Sequence, residues 1–405
     1  MEKRKKPRIR FKGFSDDWEQ RKLGDIVTRV IRKNENLESK LPLTISAQFG
    51  LIAQDEFFDK RIASKNISHY YLIRKGEFAY NKSTSMDAPW GAIKRLEHYD
   101  NGVLSTLYIM FRILDENKVN SDYIVSYYVT NLWHKGVREV AAEGARNHGL
   151  LNIAPVDFFE TTLTIPSNEN EQKNIGEYFR RLDRLITLHQ RKLEKLKIIK
   201  KSMLEKCFPK KGEKVPKIRF SGFTDDWEQR KLGDIFEEYS EKGFSDLPAL
   251  TIIQGEGTIK REDSDRSLKY DKASLLKYKL VKKGDFIVHL RSFEGGLEIS
   301  KNIGVVSPAY HTFHGEGTDS TFYYWHFRSD DFIDIALKPH VYGIRDGRSI
   351  NIEGMKTIKI PWTTLDEQSR IGNLIKCINR LITLHQSKLE KLQKIKKSML
   401  ERMFV

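Results

Sequence analysis

The chain has 405 residues and a formal net charge of +16, because 71 Lys and Arg residues outnumber 55 Asp and Glu residues. With 39% hydrophobic and 31% charged residues, the composition excludes a disordered chain and predicts a globular protein of two or three domains. Two cysteines exclude a disulfide framework or a zinc cluster of CxxC pairs, and no apolar run is long enough for a transmembrane helix. Residues 1–10 are basic but lack a following apolar segment, so we expect a cytoplasmic protein without a secretory signal. The excess positive charge favours a polyanionic partner, most often nucleic acid.

The first distinctive segment of the chain is repeated later. Residues 7–26 read PRIRFKGFSDDWEQRKLGDI, and residues 216–235 match them at 17 of 20 positions. We expect each copy to lead the chain into a domain. Trp18 and Trp227 are predicted core residues, because both copies keep these tryptophans while the loops that follow differ.

The stretches between the repeated segments predict mixed α/β domains. Runs of β-branched and aromatic residues such as 43–45 and 286–289 predict strands. Segments 123–133 and 322–332 fit a helix or a strand equally well. Short landmarks survive in both copies, including KGEF and KGDF, whereas the loops between them differ. A shared scaffold that carries different loops is typical of proteins whose function lies in the loops.

Two basic segments predict long helices. Residues 171–208 and 367–404 are identical at 24 of 38 positions, and their apolar residues recur at spacings of three and four. Each helix would span about 55 Å, and we expect the two to pair as a coiled coil. The predicted core positions are Leu182, Ile186, His189, Leu193, Leu196, Met203, Ile382, His385, Leu389, Leu392 and Met399. The two histidines fall on the apolar stripe, where we expect partly buried polar residues that fix register rather than ligands.

The charge is distributed unevenly along the chain. Residues 11–170 and 218–366 carry net charges of −1 and −3, whereas the two helical segments carry +6 each. The remaining positive charge lies on residues 1–10 and on the linker 209–217. A basic helix is usually a solvated surface, but two such helices side by side could also run near a phosphate backbone.

The sequence contains no recognisable catalytic or metal-binding motif. A GxxxxGK[ST] phosphate loop, a GxGxxG fingerprint and an HExxH pair are all missing. Residues 152–155 do not match the pattern with which amino-methylating DNA enzymes hold their target amine. Residues 116–118 have the Glu-x-Lys form found in nucleases, but the second copy lacks it. We therefore predict no catalytic and no metal-binding residue.

The motifs as an ordered set resemble the specificity subunits of type I restriction–modification systems. The resemblance rests on the duplicated RIRFxGFxDDWEQRKLGDI segment, the IP…EQ strings at 165–172 and 360–368, and the LITLHQxKLEKL…KKSMLE helices. The glycine-containing strings at 283–296 and 342–352 also fit, so the resemblance covers essentially the whole chain.

This resemblance implies a mixed α/β fold with two tandem DNA target recognition domains, separated by two long helices that pair antiparallel, with pseudo-two-fold symmetry. The implied domains are residues 1–168 and 209–365, and the implied spacer helices are residues 169–208 and 366–405. Each domain would read one half of a bipartite target on double-stranded DNA, while the helices would set the spacer. The subunit itself would be non-catalytic and would hold no cofactor. It would bind two modification subunits, which use S-adenosylmethionine to methylate adenine, and would also assemble with restriction subunits that use ATP and Mg²⁺.

Candidate DNA-reading residues are those with donors or acceptors on diverged loops at equivalent places in both copies. In the first domain they are Ser46, Gln48, Asn81, Lys82, Ser83, Ser85, Arg146, Asn147 and His148. In the second domain they are Gln254, His289, Arg291, Ser292, Tyr342, Arg345, Asp346 and Arg348. Arg146 and Arg345 occur in both copies, so we expect them to contact phosphate, whereas Asn147, Arg291 and Arg348 differ and favour base contacts.

Other functions stay open on the sequence alone. A stand-alone nuclease or methylase would be active as the purified chain. A repressor-like DNA-binding protein would bind tightly without modification subunits. A coiled-coil scaffold that binds only protein would show no salt-dependent binding to specific duplexes.

Overall fold

The computed structural model describes residues 6–46, 49–58, 63–64, 66–141, 149–210, 212–264, 272–288, 296–343 and 349–405. The chain divides into two compact units. The first unit comprises Met1–His189 and Lys388–Val405, and the second unit comprises Gln190–Ser387.

Over its described residues, the first unit contains ten strands arranged as one four-stranded sheet and three two-stranded ladders. The strands are β1 (Trp18–Lys22), β2 (Val27–Val30), β3 (Leu43–Ser46), β4 (Gly50–Ala53), β5 (Tyr71–Arg74), β6 (Phe78–Asn81), β7 (Ala92–Arg95), β8 (Asn101–Leu104), β9 (Ile109–Ile113) and β10 (Thr162–Pro166). The helices are α1 (Gln54–Phe57), α2 (Ser121–Tyr127), α3 (Trp133–Val140), α4 (Pro155–Glu160) and the first part of α5 (Glu169–Lys206). The sheet order is β2-β9-β6-β7, and the ladders are β1–β10, β3–β4 and β5–β8, all antiparallel.

The second unit repeats this topology. Its strands are β11 (Glu228–Lys231), β12 (Glu237–Tyr239), β13 (Leu250–Ile253), β14 (Gly257–Lys260), β15 (Lys279–Val281), β16 (Phe286–Val288), β17 (Glu298–Ile299), β18 (Gly304–Val306), β19 (His311–His314), β20 (Val341–Tyr342), β21 (Ser349–Ile350) and β22 (Lys359–Trp362). Its helices are α6 (Leu232–Ile235), α7 (Ser320–Phe327), α8 (Ile352–Lys356), a π-helical turn (Asp331–Leu337) and the first part of α9 (Leu365–Met403). The sheet order β12-β19-β16-β17 corresponds strand for strand to that of the first unit.

The structure shows the secondary structure of the two segments for which the sequence fitted a helix and a strand equally well. Residues 123–133 are mostly helical, in α2 and at the start of α3, and residues 322–332 are helical in α7 and the π-helical turn. The cause is capping: Asn120 Oδ1 accepts a hydrogen bond from Tyr123 N (3.0 Å), and Asp319 Oδ1 accepts one from Phe322 N (2.9 Å). The predicted strands are present, since 43–45 lie in β3 and 286–288 in β16, while His289 lies outside the described residues.

Each unit has an aromatic core built around its repeated tryptophan. Trp18 is 2% exposed and lies among Tyr123 and Phe404, and Trp227 is 3% exposed and lies among Phe208 and Phe322. Both tryptophans are therefore core residues, as predicted. Phe208 and Phe404 follow the C-terminal ends of α5 and α9, so the tail of each long helix contributes an aromatic ring to a core.

The long helices run antiparallel where they meet in the first unit. The ring of Phe179 lies 5.8 Å from that of Phe404, and Asp183 Oδ1 lies 2.5 Å from Lys396 Nζ. A later residue of α5 therefore contacts an earlier residue of α9, as expected for antiparallel helices. In the second unit Met203 and Leu204 of α5 pack in the same core cluster as Ile371 and Ile375 of α9. All eleven positions predicted for the coiled-coil core are buried or half-buried.

Candidate nucleic-acid interface

In the first unit, the loop between β6 and β7, which carries candidate DNA readers, lies beside the described segment that follows residues 146–148. The connection from β6 to β7, residues 82–91, contacts the segment 149–153 that precedes α4. Thr84 N donates to Gly149 O (2.7 Å) and Leu151 N donates to Lys82 O (3.0 Å), with an antiparallel bridge between Ser83 and Leu150. The tertiary structure therefore joins residues some 65 positions apart into one surface.

The candidate side chains on this surface divide into two groups. Lys82 is half-buried, its Nζ donates to Ile153 O (3.3 Å), and burial lowers its pKa. Asn81 Oδ1 accepts a hydrogen bond from Ser83 N (3.0 Å), which shapes the start of the loop. Ser83 and Ser85 are exposed. Lys82 and Asn81 therefore hold the loop, while the two serines face solvent.

The turn between β3 and β4 carries Ser46 and Gln48. Ser46 is 4% exposed, and its Oγ accepts a hydrogen bond from Phe49 N (3.2 Å), so the hydroxyl shapes the turn rather than facing solvent. Phe49 is 60% exposed at the same turn. Gln48 lies outside the described residues.

In the second unit the equivalent turn, between β13 and β14, presents Gln254 to solvent. A buried carboxylate fixes this turn from below. Glu298 is 3% exposed, and its Oε1 accepts a hydrogen bond from Gly255 N (2.8 Å) and from the guanidinium of Arg328. Its Oε2 accepts one from Tyr324 OH (3.0 Å). A buried charge held by this many donors specifies one backbone geometry for the turn.

Glycine is required beside this network. Gly257 has φ +82°, and a Cβ there would lie 2.5 Å from Ile299 O. Gly296 has φ +70°, and a Cβ would lie 2.0 Å from Phe327 O. Both glycines let strand β17 approach its neighbours closely.

The remaining candidates are placed as follows. Tyr342 is 58% exposed at the end of β20, which pairs with β21 through Tyr342 and Ser349. Ten predicted residues besides these lie outside the described part of the chain. They are Gln48, Arg146, Asn147, His148, His289, Arg291, Ser292, Arg345, Asp346 and Arg348. For these residues, as for the described candidates, a DNA-reading role stays a prediction.

Sequence reasoning missed the residues that support the turns. No motif marks Glu298 and Arg328, which meet only because α7 packs on β17. Lys200 of α5 lies over the Trp325 ring at 4.2 Å, and burial together with Arg328 lowers the pKa of Lys200. The buried pairs Arg10–Glu171 and Arg219–Glu367 were also missed, although their signal was present: all four residues lie in the repeated segments.

Within the described residues, no cluster of three His, Cys, Asp or Glu side chains could hold a metal ion. Over the same residues, no helix combines the length and apolar character needed to cross a membrane.

No protein-family model matches the chain. Two relatives from Methanocaldococcus jannaschii align with this chain, each over an alignment of 418 positions. The type I restriction enzyme MjaVIII specificity subunit is 24% identical, covering 95% of this chain and 91% of its own length. The putative type I restriction enzyme MjaX specificity subunit is 22% identical, covering 95% and 92%.

Among solved structures, the crystal structure of a type I restriction–modification S subunit from M. genitalium superposes with a TM-score of 0.59. The superposition covers 99% of both chains at 13% sequence identity. It confirms the mixed α/β fold with two long helices. These full-length similarities agree with the duplicated topology and the repeated motifs: over nearly its whole length the chain is similar in sequence to type I restriction enzyme specificity subunits, and it shares the fold of the M. genitalium S subunit.

Proposed function

We propose that this chain is the DNA sequence-specificity subunit of a type I restriction–modification complex, in which each unit reads one half of a bipartite target. One observation carries the proposal: the two units share a strand order and a core but differ in the loops that hold the candidate readers. A duplicated scaffold suits paired half-sites, and different loops suit half-sites of different sequence.

The long helices set the distance between the half-sites. At 1.5 Å per residue, the 38 residues of α5 extend about 57 Å, which is enough to separate half-sites by one to two turns of B-DNA. We propose that the reactions take place in partner subunits, with S-adenosylmethionine in the modification subunits and ATP with Mg²⁺ in the restriction subunits. The chain would act in the cytoplasm, together with the DNA.

The partners include two modification subunits. This number is supported by a duplicated apolar surface on the long helices. Leu185 and Leu188 of α5 are 43% and 45% exposed, and the equivalent Leu381 and Leu384 of α9 are 44% and 47% exposed. Exposed apolar residues that recur at matching positions indicate two like docking surfaces.

The DNA affinity of the chain alone is expected to be low. Residues 11–170 and 218–366 carry net charges of −1 and −3, so base reading depends on a few placed side chains, and partner subunits supply much of the contact to phosphate. A tight, salt-resistant complex between the lone chain and DNA would favour the repressor-like alternative.

Genome-wide adenine methylation mapping tests the function. Cells that carry the complete complex are expected to show one bipartite methylated motif with a fixed spacer, which disappears when this chain is deleted. Methylation that persists without the chain would refute the proposal. Methylation by the purified chain alone would instead favour a stand-alone enzyme.

The stoichiometry has its own test. Leu188→Glu and Leu384→Glu each place a charge on one of the two apolar surfaces. Each single variant is expected to bind one modification subunit and the double variant none, as measured by native mass spectrometry. Binding of two subunits by the double variant would exclude these surfaces.

A further inference from the structure

The two most strongly repeated parts of the sequence contact each other in both units. We define the arms as residues 7–17 and 216–226. In the first unit, Ile9 N donates a hydrogen bond to Arg402 O (3.0 Å) in the last turn of α9. In the second unit, Ile218 N donates to Lys206 O (2.9 Å) in the last turn of α5. Each arm therefore caps a carbonyl at a helix end that lacks a partner within the helix.

The next residue of each arm binds the start of the other long helix. Arg10 Nε and Nη2 donate to Glu171 Oε1 and Oε2 of α5 at 2.6 and 2.7 Å. Arg219 makes the same bidentate pair with Glu367 of α9, at 2.7 and 3.0 Å. Adjacent arm residues thus hold the end of one helix and the beginning of the other.

Both carboxylates are fully buried, at 0% exposure for Glu171 and Glu367. A buried ion pair contributes little net stability compared with an apolar pair of similar volume, because desolvation offsets the attraction. Its geometry is strict, however, because the planar guanidinium donates two parallel hydrogen bonds to the carboxylate in only one relative orientation. The same costly arrangement in both units indicates a role in positioning rather than in stability.

The start of each helix is also fixed to its own domain. Asn120 N donates to Gln172 Oε1 (3.0 Å), and Asp319 N donates to Gln368 Oε1 (3.0 Å). Glycine lets the helix approach closely, since a Cβ on Gly176 would lie 2.7 Å from Tyr123 N. With both contacts made, an axial shift of one long helix against the other would break the arm contacts in that unit.

We propose that the two arms are register locks, in which Arg10 and Arg219 are positioning residues that fix α5 against α9 along their axes and thereby fix the spacer length accepted by the complex. This inference rests on the proposed function. A slip of one helical turn is about 5.4 Å, and one base-pair step is about 3.4 Å, so a released lock admits spacers altered by one or two base pairs.

The test uses the complete complex with Glu171→Gln and Glu367→Gln, singly and together. The relative methylation rate is measured on duplexes that keep both half-sites and differ by one base pair in the spacer. We expect discrimination against the wrong spacer to fall at least tenfold in the double variant, with discrimination at each half-site unchanged. Helix register affects the spacing of the half-sites and not the contacts to bases. A protein that is only destabilised would lose both kinds of discrimination, not spacer discrimination alone.

The matched control is Glu77→Gln. Glu77 is 7% exposed and forms a similar bidentate pair with Arg32 (3.1 and 3.2 Å), but it lies in the first unit without contacting a long helix through that pair. Its spacer discrimination should equal that of the wild type. If the glutamine variants fail to assemble, Arg10→Lys and Arg219→Lys, which keep the charge but lose the bidentate fork, decide the question in the same assay.

Spacer discrimination within twofold of the wild type in an assembled variant would overturn the register lock, as would a parallel loss at both half-sites. Failure of the proposed function looks different, because the wild-type complex would then show no preference for half-site or spacer at all.

Discussion

The two units have the same scaffold but use different polar chemistry at equivalent positions. In the first unit, Glu77 accepts a hydrogen bond from Arg74 N (2.8 Å) and pairs with Arg32. In the second, Asp285 accepts one from Lys282 N (2.6 Å) but is held by Tyr239 and His314. The turn geometry is retained while the partner of the carboxylate is exchanged.

The same exchange occurs around the helix tails. Phe404 lies 6.3 Å from Tyr127 in the first unit, and Phe208 lies 5.6 Å from His326 in the second. Trp227 Nε1 donates to Glu367 Oε2 (3.0 Å), whereas Trp18 Nε1 has no hydrogen-bond partner within the described structure. Backbone topology and apolar packing therefore define the shared scaffold, whereas the hydrogen-bond partners of the buried polar groups differ from one unit to the other.

The largest difference is expected at the helix tails. Phe404 is 7% exposed and contacts the rings of Trp18, Tyr123 and Phe179, while Phe208 is only half-buried. Phe404→Ala should therefore destabilise the first unit by about 3 kcal/mol or more, and Phe208→Ala should cost the second unit less. Hydrogen exchange of α2 and α7 reports each unit separately.

Met86→Ala is the control for these variants, because Met86 is fully exposed. It should leave the exchange of both helices unchanged. Equal losses of protection in the two phenylalanine variants would contradict the difference in packing.

The second test removes one indole N–H from each unit. Trp227→Phe leaves the buried Glu367 with one donor fewer, so we expect a loss of about 1–2 kcal/mol beyond that of Trp18→Phe. Trp18→Phe loses only ring volume, because its N–H makes no hydrogen bond in the described structure. Denaturant unfolding measures the loss in free energy of unfolding for each variant. Equal losses would show that the hydrogen bond from Trp227 to Glu367 adds no stability.

The third test concerns pH. Burial lowers the pKa of His326 to about 3, below its ordinary value near 6.5. Between these values His326 binds a proton in the unfolded chain but not in the folded second unit. Its contribution to the free energy of unfolding is therefore complete above pH 6.5 and decreases as the pH falls below that value. The expected loss is about 1 kcal/mol from pH 6.5 to 5.5.

His326→Tyr places the first unit's residue in the second unit and should remove this part of the pH dependence. Thermal unfolding at several pH values measures it. An unchanged slope between pH 6.5 and 5.5 would show that His326 does not control acid stability.

The smallest effect is expected where the helices carry Asp183 and its counterpart Asn379. Asp183 pairs with Lys396, and both side chains are partly exposed, at 46% and 21%. Asp183→Asn makes the two units alike and should cost about 0.5 kcal/mol, with the effect vanishing in high salt. A cost that persists in 1 M salt would indicate a role in packing rather than in charge pairing.

Sequence reasoning reached the fold because the signals behind it are local or repeated. The spacing of Leu182, Leu193 and Leu392 follows from helix geometry, and the identity of the two copies gave the duplication without any knowledge of contacts. The secondary structure of residues 123–133 could not be decided, because apolar and aromatic residues fill both faces. The hydrogen bond from Tyr123 N to Asn120 Oδ1, which caps the helix, involves a residue just outside this segment.

The candidate site was less predictable. The sequence indicated loops, but Ser46 and Lys82 support the loops rather than face solvent. The role of Glu298 could not be predicted from the sequence. It depends on hydrogen bonds from Gly255, Tyr324 and Arg328, which lie 26 to 43 residues away along the chain.

Periodicity, identity and charge are properties of the residues alone, so they are enough to establish a duplicated chain with two long basic helices and weakly acidic domains. The contact by which each arm joins the end of one long helix to the start of the other is seen only in the folded chain. That outcome depends on burying Glu171 and Glu367 against arginines more than 140 positions away, and no local pattern encodes such a distance.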